Sequence, residues 1–172
     1  MPTNQTVTYV DLTFNSAAAY WDGLVLPNVA DYRSTGVPRF ALQAATYTWH
    51  LHDWVWHEQN PGVNSRGPQY TQFQSGLLSA CPELGWLRDM TDASKHCGLG
   101  RVPEVAEAKA RVVHYASLPL VLNNYPVEEL ILIMSDGSEK IFNDVLTTAL
   151  DYWSNTQGFP APPNQPRPRA GP

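Results

Sequence analysis

Residues 38–58, PRFALQAATYTWHLHDWVWHE, contain the clearest helical pattern in the chain. Apolar side chains recur in it roughly every three to four residues, which is the period of an α-helix with a buried face. A proline opens the stretch, at the one helical position where its missing backbone N–H costs little. We therefore predict a helix of about five turns. Its predicted core face consists of Phe40, Ala44, Tyr47, Leu51, Trp54 and Val55.

One side of this predicted helix mixes ionisable groups with tryptophans. His50, Asp53 and His57 are spaced at i, i+3 and i+7, so they share a face of the helix. Trp49 and Trp56 lie beyond that face, and the polar stripe therefore has apolar neighbours on both edges. An ordinary solvent-facing side would not have them. We expect the stripe to line a cleft or to be enclosed.

Residues 82–100, PELGWLRDMTDASKHCGLG, predict a second helix that begins at a proline and ends near two glycines. Its predicted core face consists of Trp86, Leu87, Met90, Ala93 and Cys97. Asp89, Asp92 and His96 repeat the i, i+3, i+7 spacing of the first helix. If the two helices pack antiparallel, core face against core face, the two polar stripes converge in one recess.

Such a recess suits three kinds of chemistry. Imidazole nitrogens and carboxylate oxygens bind divalent transition metals. The ligands of that site would be His50, Asp53, His57 and His96. The same groups suit acid/base catalysis, in which an aspartate orients a histidine that titrates near neutral pH. They also suit a polar network that only fixes how the helices pack. The spacing leaves all three open.

Arg88 precedes Asp92 by one helical turn. The two residues could form a surface ion pair, which contributes little to stability. Alternatively, the carboxylate could hold the guanidinium in place to bind a phosphate or carboxylate group.

The chain before the first long helix gives weaker signals. Residues 6–14 alternate as an edge strand or an extended arm would. Asn15 is a suitable N-cap for a short helix over residues 16–24. Pro27 and residues 34–38, STGVP, then break the next segment.

The remaining chain adds helices and a hairpin. Residues 71–80 predict a short helix, whereas residues 104–113 mix helical composition with β-branched residues and stay open between helix and strand. Residues 128–143 predict a β-hairpin, because an Asp-Gly turn separates two apolar runs. Asn143 is the predicted cap of a last helix that ends at Gly158.

These elements predict a mainly α fold, a helical bundle with a small C-terminal β-hairpin plus a terminal helix. The predicted divisions are an arm (1–37), a helical core (38–100), a hairpin and helix packed on the core (101–158) and a disordered Pro-rich tail (159–172). At 172 residues the chain is long enough to bury a real core in one domain.

The overall charge limits the partners. A net charge of −5 gives no bulk attraction to nucleic acid, so any such contact must come from a local patch. The N-terminus has no leader and the chain no long apolar run, so we expect a cytoplasmic protein with no membrane contact. Cys81 and Cys97 fit reduced thiols that act as small apolar residues.

Residues 87–96, LRDMTDASKH, resemble the signature helix of the HEPN superfamily, the all-helical nucleotide-binding domains of many bacterial toxin–antitoxin and phage-defence proteins. The family pattern is an arginine, a polar residue and a later histidine, which Arg88, Asp89 and His96 would fill. Their separation is longer than is usual in the family. The resemblance extends over residues 38–101, and the first long helix is also similar to those of HEPN-like proteins.

The resemblance implies metal-independent RNA cleavage, with a homodimer whose arginines and histidines polarise a ribose hydroxyl and the scissile phosphate. Arg88 would bind phosphate and His96 would act as acid/base, while Asp92 and His50 orient and assist. The predicted binding residues are Asp53, His57, Asp89 and Lys95. The expected partners are RNA or a nucleotide, a second copy, and an antitoxin or other protein, with no cofactor. Two alternatives stay open, namely a non-catalytic interaction module whose polar stripes only organise the bundle, and a metal-dependent enzyme.

Overall fold

The structure is a computed structural model that describes residues 14–65, 67–95, 101–113 and 127–162. The helices are α1 (Ala17–Tyr20), a π-helical stretch (Trp21–Val25), α2 (Leu26–Thr35), α3 (Pro38–Gln59), α4 (Pro68–Ala80), α5 (Pro82–Lys95) and α6 (Phe142–Gln157). The strands are β1 (Val105–Val113), β2 (Val127–Met134) and β3 (Glu139–Ile141). The predicted fold class is confirmed: the chain is mainly helical, with a small sheet and a C-terminal helix.

The first helical segment corrects two details of the prediction. Ser16, not Asn15, is the N-cap, because its hydroxyl accepts a hydrogen bond from the backbone N–H of Ala19 (3.0 Å). Helical structure then continues through the π-helical stretch into α2, so Pro27 does not break it. Pro27 lies in the first turn of α2, where a missing N–H is tolerated. The helix stops at Gly36, whose φ of 69° is a left-handed conformation that suits glycine.

Helix α3 is the centre of the fold and confirms the predicted helix. Ala44, Leu51 and Val55 of the predicted core face are buried, and the other three members are half-buried. Trp49 and Trp56, expected on the far side, are buried as well. Helix α3 contacts α2, α4, α5 and α6, which cover it from several directions.

Helices α4 and α5 follow in the predicted order, with α4 beginning earlier than expected, at Pro68. The predicted core face of α5 was partly wrong. Leu84, Leu87 and Thr91 are fully buried, whereas Ala93 is exposed. Helix α5 packs against α3 on one side and against the start of β1 on another, and helical spacing alone could not anticipate the second contact.

The sheet is antiparallel, with strand order β1-β2-β3. The predicted Asp-Gly turn is confirmed between β2 and β3, where Gly137 has a φ of 82° and its N–H donates to the carbonyl of Met134 (2.9 Å). The stretch left open between helix and strand is β1. It becomes a strand because it pairs along the length of β2, an example of tertiary context overriding local propensity.

Strand β2 has buried residues on both faces, since Glu129 and Ile131 are buried as well as Leu130 and Leu132. Leu130 and Leu132 of β2 are buried in the hydrophobic core, and β2 lies against α6. Their partners on β1 are Ala110 and Ala108, which share their face but are exposed. The core therefore ends at β2, and β1 lies at its margin.

Helix α6 packs against α3 and α5. It begins at Phe142, so the prediction of Asn143 as the cap was wrong. The side-chain oxygen of Asn143 instead accepts a hydrogen bond from Arg33 (3.4 Å). Trp153 is fully buried, and its indole N–H donates to the carbonyl of Thr48 in α3 (3.2 Å).

The C-terminal end of the described chain contacts the N-terminal helical segment. Gly158 ends α6 as predicted, with a φ of 70°. Phe159 then stacks on Trp21, with ring centroids 5.2 Å apart. The predicted strand at 6–14 falls outside the described residues except for Phe14, and the Pro-rich tail is described only to Pro162. Within the described residues, no helix has the length and hydrophobicity to cross a membrane.

Candidate functional site

The predicted site residues lie on the two expected helices, which pack against each other. Helix α3 carries His50, Asp53 and His57, and helix α5 carries Arg88, Asp89, Asp92 and Lys95. His96 and Cys97 lie outside the described residues, so the role of His96 stays a prediction.

One residue of the first stripe, His50, contacts α5, through a residue outside the predicted second stripe. The ammonium group of Lys95 donates a hydrogen bond to Nε2 of His50 (3.3 Å), and the charge of Asp92 also acts on that imidazole. Asp53 lies one turn along α3 and acts on it too. His57 is exposed, and no hydrogen bond or ion pair within the described part of the chain joins it to the other predicted residues.

His50 is held in its neutral form. Partial burial lowers the pKa of His50, and the Lys95 ammonium lowers it further, whereas Asp53 and Asp92 act in the opposite direction. A neutral imidazole is consistent with accepting a hydrogen bond from Lys95. It is also the form that can take up a proton as a general base.

Arg88 contacts an aromatic ring and has one buried polar atom without a hydrogen-bond partner among the described residues. Its guanidinium carbon lies 5.8 Å from the centre of the Trp49 ring, a cation–π distance. Its Nε is buried and has no hydrogen-bond partner among the residues that the structure describes. Burial lowers the pKa of Arg88, and the charge of Arg101 adds to this. Asp92, which the sequence paired with Arg88, instead forms an ion pair with Arg101 (3.1 Å).

Asp89 serves the packing of β1 on α5. Its side chain is only 2% exposed. One carboxylate oxygen accepts hydrogen bonds from the backbone N–H groups of Glu104 (2.6 Å) and Val105 (3.2 Å), and the other forms an ion pair with Arg101. The carboxylate predicted to bind a ligand is therefore already bound by groups of the protein itself.

A buried histidine that the stripe did not include forms the centre of a second polar cluster. His52 is 2% exposed, with Nδ1 2.5 Å from the carbonyl of Trp49 and Nε2 2.9 Å from the side-chain nitrogen of Gln74. Donation from Nδ1 to Trp49 leaves Nε2 as the acceptor. The hydroxyl of Tyr70 lies 2.8 Å from Nε2 and donates to the carboxylate of Asp53.

This second cluster could not be found from α3 alone. The imidazole of His52 stacks on the ring of Trp49 (4.0 Å between centroids), so it takes a place among apolar groups. Its polar partners Tyr70 and Gln74 come from α4, one helical turn apart. The i, i+4 spacing of Tyr70 and Gln74 was the available signal. It shows that the two side chains share a face of α4, but not that this face packs against α3.

Acidification should destabilise the protein through His52. Burial lowers the pKa of His52, against the opposing effects of Asp53 and of the Trp49 carbonyl. The folded pKa is then below the unfolded value of about 6.5. The stabilisation is complete above about pH 6.5 and is lost as the pH falls through the folded pKa, at up to about 1.4 kcal/mol per pH unit. Urea denaturation at a series of pH values measures this slope.

Two variants separate His52 from the other histidines. We expect His52→Gln to flatten the slope of unfolding free energy between about pH 6.5 and about pH 5, and His57→Gln, at an exposed position, to leave it unchanged. Some slope remains in His52→Gln because the pKa of His50 is also lowered. Identical slopes for wild type and His52→Gln would contradict a neutral buried imidazole.

An open cavity of about 330 Å³ lies apart from these clusters, between α5, β3 and α6. Trp86, Lys140 and Asp144 are among its lining residues. Lys140 lies over the Trp86 ring (5.7 Å), whose N–H donates to Glu104 (2.6 Å). The predicted site residues that the structure describes do not line this cavity.

The metal hypothesis is not decided by the described residues. Among them, no three histidine, cysteine, aspartate or glutamate side chains lie together as a metal site requires. The predicted ligand set includes His96, so it stays a prediction. Cys81 is a buried free thiol whose pKa burial raises to about 11, as fits a small apolar residue.

Comparison of the chain with protein-family models, with curated proteins and with solved structures gives no match. The resemblance of residues 87–96 to the HEPN superfamily therefore stays a prediction.

Proposed function

We propose that this protein binds RNA through Arg88 and cleaves it without a metal, in the manner of HEPN-like ribonucleases of the toxin or phage-defence type. The observation that supports this proposal is the buried Nε of Arg88, which has no acceptor among the described residues. A cytoplasmic location belongs to the same proposal, because its substrate is intracellular RNA.

An anionic ligand would satisfy Arg88. A buried donor without a partner costs about 1–3 kcal/mol, which a phosphate oxygen can recover on binding. The guanidinium presents a planar fork that matches two phosphate oxygens, and contact with the Trp49 ring limits its orientations. Asp92 does not compete for it, because Arg101 holds that carboxylate.

The neighbouring groups supply the chemistry. Neutral His50 takes the proton from a ribose 2′-hydroxyl, whose oxygen attacks the adjacent phosphorus and forms a 2′,3′-cyclic phosphate. The bond to the 5′-oxygen breaks, and His96 donates a proton to that leaving oxygen. Lys95 is exposed and keeps donor hydrogens beyond the one directed at His50, so it can contact a phosphate oxygen.

Arg88→Gln should weaken RNA binding by about ten-fold or more, because it removes one charge-assisted, bidentate contact. Fluorescence anisotropy with a labelled single-stranded RNA, in EDTA and at two salt concentrations, measures the dissociation constant. Gel analysis of the same mixtures reports cleavage, which His96→Ala and His50→Gln should abolish or slow.

The matched control for Arg88→Gln is Arg39→Gln. Arg39 also lies over an aromatic ring, that of Phe40 (4.5 Å), but it is exposed at the start of α3. Both substitutions remove one positive charge. If only the overall charge matters, the two variants should lose RNA affinity equally. Equal dissociation constants for the two variants would refute a phosphate site at Arg88.

A non-catalytic interaction module is the second candidate. It is favoured by the finding that Asp89 and His52 are held by the protein's own groups, Asp89 through hydrogen bonds and an ion pair and His52 through hydrogen bonds. In this case the polar stripes organise the bundle, and the partner is an antitoxin or another protein. Absence of RNA binding and cleavage by the wild-type chain, together with losses of stability in the Asp89 variants, would support it.

A further inference from the structure

Strand β1 is the edge strand of the sheet formed by the described residues. Residues 106–111 are all exposed, and β1 is at one end of the strand order. Within the part of the chain that the structure describes, no strand pairs with its outer edge. The strand contains no proline that would block pairing. The backbone N–H and C=O groups along such an edge can pair with a further strand.

The side chains of β1 are segregated by face. A β-bulge lies between Val105 and Glu107, and regular pairing with β2 begins at Glu107. From there Ala108 and Ala110 alternate with charged residues, so small apolar side chains occupy one face. The charged residues of the opposite face are Glu107, Lys109 and Arg111. Arg111 is bound within its own sheet by an ion pair with Glu139. Glu107 and Lys109 are the two remaining charges that a new strand would meet.

We propose that β1 pairs with the β1 strand of a second copy of this chain, antiparallel and about a two-fold axis at Ala108. In this register Glu107 of each copy faces Lys109 of the other, and Ala108 faces its own counterpart. Opposite charges that face each other across antiparallel strands stabilise the pair. The product is an isologous dimer with a continuous sheet of two β1 strands at its centre.

The charges single out this register. A two-fold axis perpendicular to the sheet relates residues of the two β1 strands that point to the same face. Opposite residues are then an even number of positions apart in sequence, so one residue of β1 lies opposite its own counterpart at the axis. An axis at Glu107 or at Lys109 places two like charges opposite each other. An axis at Ala110 places Lys109 opposite Arg111. Only the axis at Ala108, among these four central positions, gives two attractive pairs and no repulsive one.

The same complementarity favours a second copy over other occupants. An unrelated peptide would have to supply the charge pattern, whereas β1 already contains both halves of it. This dimer does not depend on RNA binding, and the full-length chain without RNA is the material for its test.

Sedimentation velocity across about 1–100 µM protein should show a monomer–dimer equilibrium. Glu107→Lys and Lys109→Glu should each raise the dimer dissociation constant about ten-fold or more, because each turns two attractive pairs into repulsive ones. The double variant Glu107→Lys/Lys109→Glu recreates both pairs with exchanged charges and should restore the wild-type value. Asp151→Lys, on the exposed side of α6, is the matched charge-reversal control.

Cysteine cross-linking tests the axis. Ala108→Cys places two thiols opposite each other and should form a covalent dimer under mild oxidation, whereas Ala110→Cys faces Ala106 and should not. A chain that is monomeric at every concentration, or a dimer insensitive to the charge reversals, would overturn the proposal. So would tighter association of Lys109→Glu, or a dimer that forms only after residues 1–13 are deleted, since that segment would then be the occupant.

Discussion

Replacing Asp89 with alanine should lower the free energy of unfolding by about 3–5 kcal/mol. The substitution leaves the backbone N–H groups of Glu104 and Val105, at the start of β1, without their carboxylate acceptor. It also removes one of the two carboxylates that form ion pairs with the Arg101 guanidinium. Urea denaturation followed by tryptophan fluorescence measures the loss. We expect β1 to detach from α5, so amide hydrogen exchange should rise most in residues 104–113.

Asp92→Ala is the matched control for Asp89→Ala. Asp92 lies one turn further along α5 and pairs with the same arginine, but about a third of its side chain is exposed. A solvent-screened ion pair of this kind contributes less than about 1 kcal/mol. Asp89→Asn, which keeps one acceptor oxygen, should fall between the two. Equal losses for Asp89→Ala and Asp92→Ala would show that Asp89 does not anchor β1.

Trp153→Ala should also lower the free energy of unfolding by about 3–5 kcal/mol. Trp153 is fully buried, so truncation loses the apolar burial of the indole and leaves a cavity in the core. It also breaks the hydrogen bond that the indole N–H donates to the carbonyl of Thr48 in α3. The same denaturation experiment measures this effect.

Two phenylalanine variants isolate the hydrogen bond of Trp153. Trp21 is also fully buried, but its indole N–H has no partner among the described residues. Trp153→Phe and Trp21→Phe remove the same atoms, and only the first breaks a hydrogen bond. We expect Trp153→Phe to cost about 1 kcal/mol more than Trp21→Phe. An equal or smaller cost would show that the bond to Thr48 contributes nothing.

Local patterns predicted the elements that local interactions decide. Helix α3 has a strong apolar period and a proline at its start, and the hairpin has an Asp-Gly turn, so both were predicted correctly. The N-cap was displaced by one residue, because Asn15 and Ser16 are both good capping residues. The buried face of α5 was only partly predicted, because β1 covers Asp89 from a distant part of the sequence.

The candidate site, like the fold, was predictable only where spacing along one helix decides it. Helical spacing brought His50 into the stripe that meets α5, and the contact with Lys95 supports that part. The spacing could not show that Arg101, beyond the end of α5, holds Asp92. It also could not include His52, whose hydrogen-bond partners Tyr70 and Gln74 lie on another helix. Ionisable side chains on one helix face are a local property, whereas their partners depend on the whole fold.

The stacking of Phe159 on Trp21 has a consequence for biosynthesis. Because ribosomes deliver the chain from its N-terminus, Trp21 emerges early, and the ring that stacks on it is added near the end of the described body. In the nascent protein, Trp21 therefore lacks its contact with Phe159 while the helices and strands between these two residues are translated.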